Sequence, residues 1–188
     1  MPRKTEEQKE ERKIEIINAC EKIYKEKGFY GVTIKEISTE TSFTRPAIYT
    51  YFETKDEILL SLLNREYEKW LHELERIETI RTKLSRKQMA EEISHSLEER
   101  EVLLRIQNMN LYEIELNCIV ERLAEFKCSM GVQWQCLEEY LKIRYRELAT
   151  MNVKNFALHL ELFFLGYILC ISYEKAVGSN ETGEYQVL

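Results

Sequence analysis

Apolar side chains recur at three- and four-residue spacing along nearly the whole chain, the period of a helix with one buried face. Ile16, Ile17, Cys20, Ile23 and Tyr24 form the first stripe and predict a helix from about Glu6 to Lys27, stopped at Gly28. Phe29 then folds back onto the stripe, and Gly31 allows the tight turn that delivers the chain to Thr33. A short helix from Ile34 to about Glu40 turns Ile34 and Ile37 inward, and a turn at Thr41, Ser42 and Phe43 follows. A second short helix starts at Thr44 and continues through Ala47, Ile48 and Tyr49 to Phe52, with Pro46 in the first turn, where its missing N–H costs nothing. Two short helices joined by a tight turn and packed on a longer one make a helix-turn-helix.

From Lys55 the stripe Ile58, Leu59, Leu62, Leu63, Tyr67, Trp70, Leu71 and Leu74 predicts a long helix ending near Thr79. Further helical patterns cover roughly Arg86 to Glu99, Glu101 to Tyr112, Glu115 to Cys128, Gln133 to Leu148 and Val153 to Ala176, with a frayed tail from Gly178. Helix starts are marked by Ser or Thr followed three residues later by Glu or Gln, a pair that satisfies first-turn amides: Thr5 with Gln8, Thr33 with Glu36, Thr54 with Glu57 and Ser85 with Gln88, beside a weaker start at Asn152. The expected fold is all-α: a three-helix head over residues 1–54, joined by a long helix to an all-helical body over residues 55–188.

Composition agrees with this pattern, since 6 glycines and 2 prolines leave little turn chemistry for a sheet protein. Net charge is −6, which taken alone argues against nucleic acid. Its distribution reverses the argument. Residues 1–55 hold 11 basic and 10 acidic side chains, so the acidity belongs to the body. The 5 cysteines form no CxxC pair, lack companion histidines at metal-ligand spacing and read as buried, inert thiols in a reducing cytoplasm, with no metal and no cofactor. The most apolar stretch, Phe156 to Tyr173, is interrupted by His159, Glu161 and Ser172, so no bilayer span is expected. Phosphate-cradling glycine loops, GxSxG and HExxH are absent and His72, His95 and His159 lie far apart, which argues against an enzyme.

The chemistry lies in the second short helix. A helix of this size fits the DNA major groove with its N-terminal residues, here Thr44, Arg45, Pro46, Ala47 and Tyr49, against base edges. Arg45 can give two parallel hydrogen bonds to guanine O6 and N7, while Pro46 and Ala47 suit a thymine methyl. Thr44, Tyr49, Thr50 and Tyr51 carry hydroxyls for phosphate oxygens, and Lys55 sits where a helix N-terminus already favours phosphate. Ile48 and Phe52 point into the core. The plain alternative is that Tyr49 and Tyr51 pack the head and that Lys35 and Lys55 are solvated surface lysines.

Val32 to Leu63, VTIKEISTETSFTRPAIYTYFETKDEILLSLL, resembles the TetR family, whose head shows an isoleucine-rich second helix, a recognition helix ending Tyr-x-x-Phe and a following Lys. The likeness extends back through Gly28-Phe29 and the Ile16-Ile17, Ala19-Cys20 and Ile23-Tyr24 pairs, about a third of the chain. Ser42 departs from it, standing where the family usually has glycine, and Ser tolerates a left-handed turn less well. The resemblance implies Lys35 as a base or phosphate contact and Thr33 as a phosphate contact, although capping alone explains Thr33.

It also implies a homodimer that sets two heads at palindromic half-sites about one helical turn (roughly 34 Å) apart. The last helix carries two apolar stripes, Val153, Phe156, Leu160, Phe163, Phe164, Tyr167 and Ile171 on one side and Leu158, Leu162, Leu165 and Leu169 on the other, so it needs two partners. With Trp134, Leu137, Leu141, Tyr145 and Leu148 it would form an intermolecular four-helix bundle; burial within one chain is the alternative. Members of the family commonly take a small effector in the body, for which Trp70, Met89, His95, Met109, Asn110, Tyr112 and Glu113 are the candidate lining, with plain core packing the alternative. The implied function is a repressor released from its operator by that effector. An activator, or an interaction module that keeps the fold without binding DNA, are the competing readings.

Overall fold

The computed structural model describes residues 6–78 and 86–144, and everything described is helix or turn. The first helix, α1 (Glu6–Lys27), buries Ile16, Ile17, Ala19, Cys20, Ile23 and Tyr24, the stripe that its spacing predicts. Gly28 ends it at φ 70°, a left-handed conformation that glycine adopts without a Cβ penalty. Gly31 is constrained differently: a Cβ there would collide with the Cβ of Lys27, so the turn Phe29–Gly31 closes only because that position is bare.

Two short helices follow, α2 (Ile34–Thr39) and α3 (Arg45–Ile48), each burying one isoleucine, Ile37 and Ile48. Helical hydrogen bonding carries on beyond α3, because the amides of Tyr51 and Phe52 reach the carbonyl of Ile48 at 2.9 and 3.1 Å. The turn between α2 and α3 needs no glycine. Among the described residues no non-glycine has a positive φ, so Ser42 avoids the left-handed region, and its amide donates to Glu15 Oε1 on α1 at 2.7 Å. A side-chain anchor from α1 thus holds the turn at the position where the resemblance leads one to expect glycine.

The central element is α4 (Lys55–Glu78), which packs against α1 on one side and α5 (Arg86–Glu98), α6 (Glu101–Arg105), α7 (Leu111–Asn117) and α8 (Val120–Arg144) elsewhere. Being surrounded, it buries Ile58, Leu59, Leu60, Leu62, Leu63, Tyr67, Trp70 and Leu74, more than one helix face holds. One apolar core therefore runs from Ile16 in the head to Met130 in α8 without interruption. Trp70 is fully enclosed, and its indole N–H donates to Ser96 Oγ on α5 at 2.9 Å, so the buried donor is satisfied.

Helix boundaries in the body differ from the sequence reading. The segment expected as one helix from Glu101 to Tyr112 is α6, a wider π-type turn over Ile106–Asn110, and then α7, which runs on to Asn117. The extra residue in that turn brings Asn110 to α1, where it accepts a hydrogen bond from Tyr24 at 2.7 Å. The break falls at Cys118, in extended conformation, and α8 then continues through the expected gap at 129–132. Tertiary contacts hold that gap helical: Phe126, Met130 and Gln133 are buried on one face, and Ser129 and Gln133 both donate to Asn64 Oδ1 of α4, at 2.8 and 3.2 Å.

Candidate nucleic-acid interface

Local chemistry positions the helix-turn-helix before any ligand arrives. Thr33 Oγ1 accepts from the amide of Glu36 at 3.1 Å and starts α2. Glu36 does not complete a reciprocal box; its carboxylate pairs with Lys27, while Lys22 pairs with Glu40 at 2.5 Å. These two ion pairs tie α2 to α1. The turn is held from beneath by Glu15 and by Arg12, whose guanidinium lies 5.2 Å above the ring of Phe43. Neither Glu15 nor Arg12 is marked in the sequence, because Glu15 acts on a residue 27 positions away and Arg12 reads as a surface cation on α1.

On α3 the expected division of faces is present. Thr44, Arg45, Pro46, Tyr49 and Thr50 are exposed, Tyr49 at 54%, and Ala47 is half-buried, whereas Ile48 and Phe52 are buried. Lys35 on α2 and Thr33 at its start are exposed as well. Among the described residues no carboxylate forms an ion pair with Arg45 or Lys35, so both cations face outward. Thr44 starts α3 without using its side chain as a cap, which leaves that hydroxyl for another acceptor. Two hydroxyls are placed differently from a simple phosphate contact. Thr50 donates to the carbonyl of Ala47 at 2.7 Å, and Tyr51 is half-buried, with its ring 6.5 Å from that of Phe43.

At the start of α4 the amides are partly committed. Thr54 Oγ1 accepts from the amide of Glu57 at 3.1 Å, and Glu57 Oε2 accepts from that of Glu53 at 3.0 Å. Thr54 thus caps α4 as its spacing predicts, while Glu57 reaches back one residue further than a reciprocal box, to the amide before the cap. Lys55 lies with its ammonium 4.3 Å above the ring of Phe29, a cation–π contact that fixes its stem while the residue stays half-exposed. Any anion at this end meets Lys55 rather than a full set of open amides.

The model of the family described as "Bacterial regulatory proteins, tetR family" matches residues 16–62, which include the candidates from Thr33 to Lys55 but not Arg12 and Glu15. Over residues 16–62 the chain is thus similar to the tetR family. It is 31% identical over 75 residues to the uncharacterized HTH-type transcriptional regulator YfiR of Bacillus subtilis, covering 40% of this chain and 37% of that protein. It is 37% identical over 67 residues to the HTH-type transcriptional regulator HbdR of Aromatoleum sp., covering 36% of this chain and 29% of the relative. With TtgR of Pseudomonas putida the identity is 34% over 68 residues, 36% of this chain and 32% of that protein. The likeness thus spans only about a third of each of these relatives. Among solved structures, the fatty acid degradation regulator FadR from Bacillus halodurans superposes with a TM-score of 0.56 at 14% identity, covering 91% of this chain and 88% of that one. A TetR/AcrR-family regulator from Thermobifida fusca gives 0.52 at 18% identity, over 83% and 81%. These two establish a shared all-helical fold.

The effector lining expected from sequence does not assemble. Trp70 is core, its N–H already used, while His95 is exposed and 2.9 Å from Glu98. Met109 and Tyr112 are exposed too, and Glu113 accepts from Tyr30 in the head at 3.3 Å. Asn110 is taken by Tyr24. Met89 lies on α5, its side chain outside the described ones. Helical spacing put the described residues of this set on neighbouring helices but not on one side of them.

Of the dimer residues, Trp134, Leu137 and Leu141 lie on α8 with side chains outside those described, and Tyr145, Phe156, Leu160, Phe163, Phe164 and Tyr167 lie outside the described residues. Among the cysteines, Cys20 is buried and Cys118 half-buried, but Cys128 is exposed, contrary to the expectation of uniformly buried thiols. It sits on the face of α8 turned away from Phe126 and Met130. Burial pushes the Cys20 thiol up to about 12; burial, reinforced by Asp56, Glu57 and Glu115, does the same at Cys118. Among the described residues no group of His, Cys, Asp or Glu is arranged to hold a metal, and no helix is long and apolar enough to cross a membrane.

Proposed function

We propose that this chain is a cytoplasmic, sequence-specific DNA-binding transcriptional regulator that acts as a homodimer on a palindromic operator and represses until a small molecule releases it. The observation that carries the reading is the two-faced α3 segment: Arg45, Pro46, Tyr49 and Thr50 exposed on one side, Ile48 and Phe52 buried on the other. A recognition helix needs both properties, an open face for base edges and a fixed register against its own core. Thr33, Lys35 and Thr44 lie around that face for phosphates, and Lys55 supplies the cation at the start of α4. We place the division between head and body at 54/55, a reading supported by the Thr54 cap at the start of α4.

Selection of bound sequences from a random duplex pool by the purified full chain tests the reading. Enrichment of a palindrome with half-sites about one helical turn apart (~34 Å) is the expected result. A pool that emerges unenriched would sink both the operator and the regulator. Sedimentation of the same preparation should give a dimer, and Phe163→Asp or Phe164→Asp should yield monomers that bind the selected duplex poorly.

A further inference from the structure

A cleft of about 500 Å³ lies where the head meets the body. Its apolar walls come from Ile14 and Ile17 of α1, Tyr51 and Phe52 at the end of the recognition segment, Leu60 of α4 and Phe126 of α8. That volume suits a drug-sized molecule. Its polar lining is unbalanced. Of the cations, Lys13 faces Glu10 at 3.4 Å, Arg122 faces Glu125 at 3.0 Å, and Arg65 is turned to Glu21 and Asn18, both at 2.6 Å. Two carboxylates of the lining remain without a cation among the described residues. Glu68 accepts only from Asn64, at 2.8 Å. Glu57 is 2% exposed, and although its Oε2 accepts from Glu53, its Oε1 is buried with no hydrogen-bond partner.

A buried carboxylate oxygen without a donor is costly, and a bound cation is the direct way to remove that cost. The rings of Tyr51, Phe52 and Phe126 offer the remaining surface that an organic cation prefers. We propose that this cleft is a binding site for an amphiphilic organic monocation, its charge set against Glu57 and its apolar body against the Ile14, Leu60 and Phe126 walls. An occupant would touch α1, the end of the recognition segment and α8 at once, so it bears on the relative placement of the DNA-reading face and the body. The inference assigns the effector class and site of the regulator proposed above, and as a regulatory site it rests on that reading; binding itself does not.

Calorimetric titration of the full chain, without DNA, with tetraphenylphosphonium and with its isosteric anion tetraphenylborate tests the site. The cation should bind at least tenfold tighter than the anion. Glu57→Gln keeps an acceptor for the Glu53 amide and should weaken the cation at least tenfold. Ile14→Trp, at a half-exposed position of α1, should fill the cleft and abolish binding, with helical content unchanged in both variants. Equal affinity for the two ions, or an unchanged cation affinity in either variant, overturns the proposal. Because no DNA is present, that failure is separate from failure to enrich an operator. Where both succeed, the cation should change affinity for the selected duplex, and the duplex should change affinity for the cation by the same factor.

Discussion

Ile48 and Tyr49 are neighbours with opposite surroundings, one fully enclosed and the other 54% exposed, and the contrast separates two kinds of residue in the head. On the proposed reading, removing a core residue costs folding, whereas removing a face residue costs recognition. Arg45→Ala should relax base preference at one position of each half-site by about 1–3 kcal/mol, read as competition among single-base variants of the selected duplex. Lys35→Ala should weaken all sequences alike and lower the slope of log K against log salt by about 1. A loss confined to one base at Lys35, or a uniform loss at Arg45, would exchange their roles. The cysteines give a second residue-scale expectation. Only the thiolate reacts, and burial keeps Cys20 and Cys118 protonated, both pushed up to about 12. Alkylation at pH 7.5 followed by peptide mass spectrometry should label Cys128 and leave Cys20 and Cys118 unlabelled until the chain is unfolded.

At the scale of elements, two glycines that look alike in sequence play opposite parts. Gly31 closes the turn between α1 and α2 because no Cβ stands against Lys27, so Gly31→Ala should destabilise the chain by about 1–3 kcal/mol and loosen the start of α2. Gly131 lies inside α8 with nothing within 4 Å of a prospective Cβ, so Gly131→Ala should stabilise by up to about 1 kcal/mol through helix propensity alone. Thermal unfolding of the two variants checks both signs. The same pair shows what was legible. Gly28 and the Thr54–Glu57 cap were readable because their partners lie within four residues. The continuity of α8 through Gly131 was not, because it depends on Asn64, 65 positions from Ser129.

Across the whole molecule, α4 carries the head and body on one core, and its first turn is where charge meets burial. Asp56 is 5% exposed, with an Oδ1 that lacks a partner. Burial raises its carboxyl above 3.8, Lys55 opposes that, and Glu113 on α7 reinforces it. The folded chain therefore holds this proton more tightly than the unfolded chain does. Stability from this group is fully present below 3.8 and declines as pH rises through the raised folded value. Asp56→Asn removes the decline. The variant should unfold at a higher temperature than the parent at pH 7, with the difference vanishing as pH approaches 3.8; a lower midpoint at pH 7 would show that the charge is a net support to α4.

Sequence by itself determined the parts of this protein whose causes are local. Helical period, caps and the glycine stop at residue 28 placed α1 to α4, and the apolar spacing told which side of α3 faces inward, because each depends on residues three or four apart. Tertiary structure alone decided what depends on distant partners. Glu15 reaching Ser42 made a turn possible without glycine, and the π-type turn at Ile106–Asn110 brought Asn110 to Tyr24. Trp70, expected in a ligand site, was drawn into the core by Ser96. The cleft at Glu57 exists only because α1, α4 and α8 converge there, and a one-dimensional pattern holds no record of where three helices leave space.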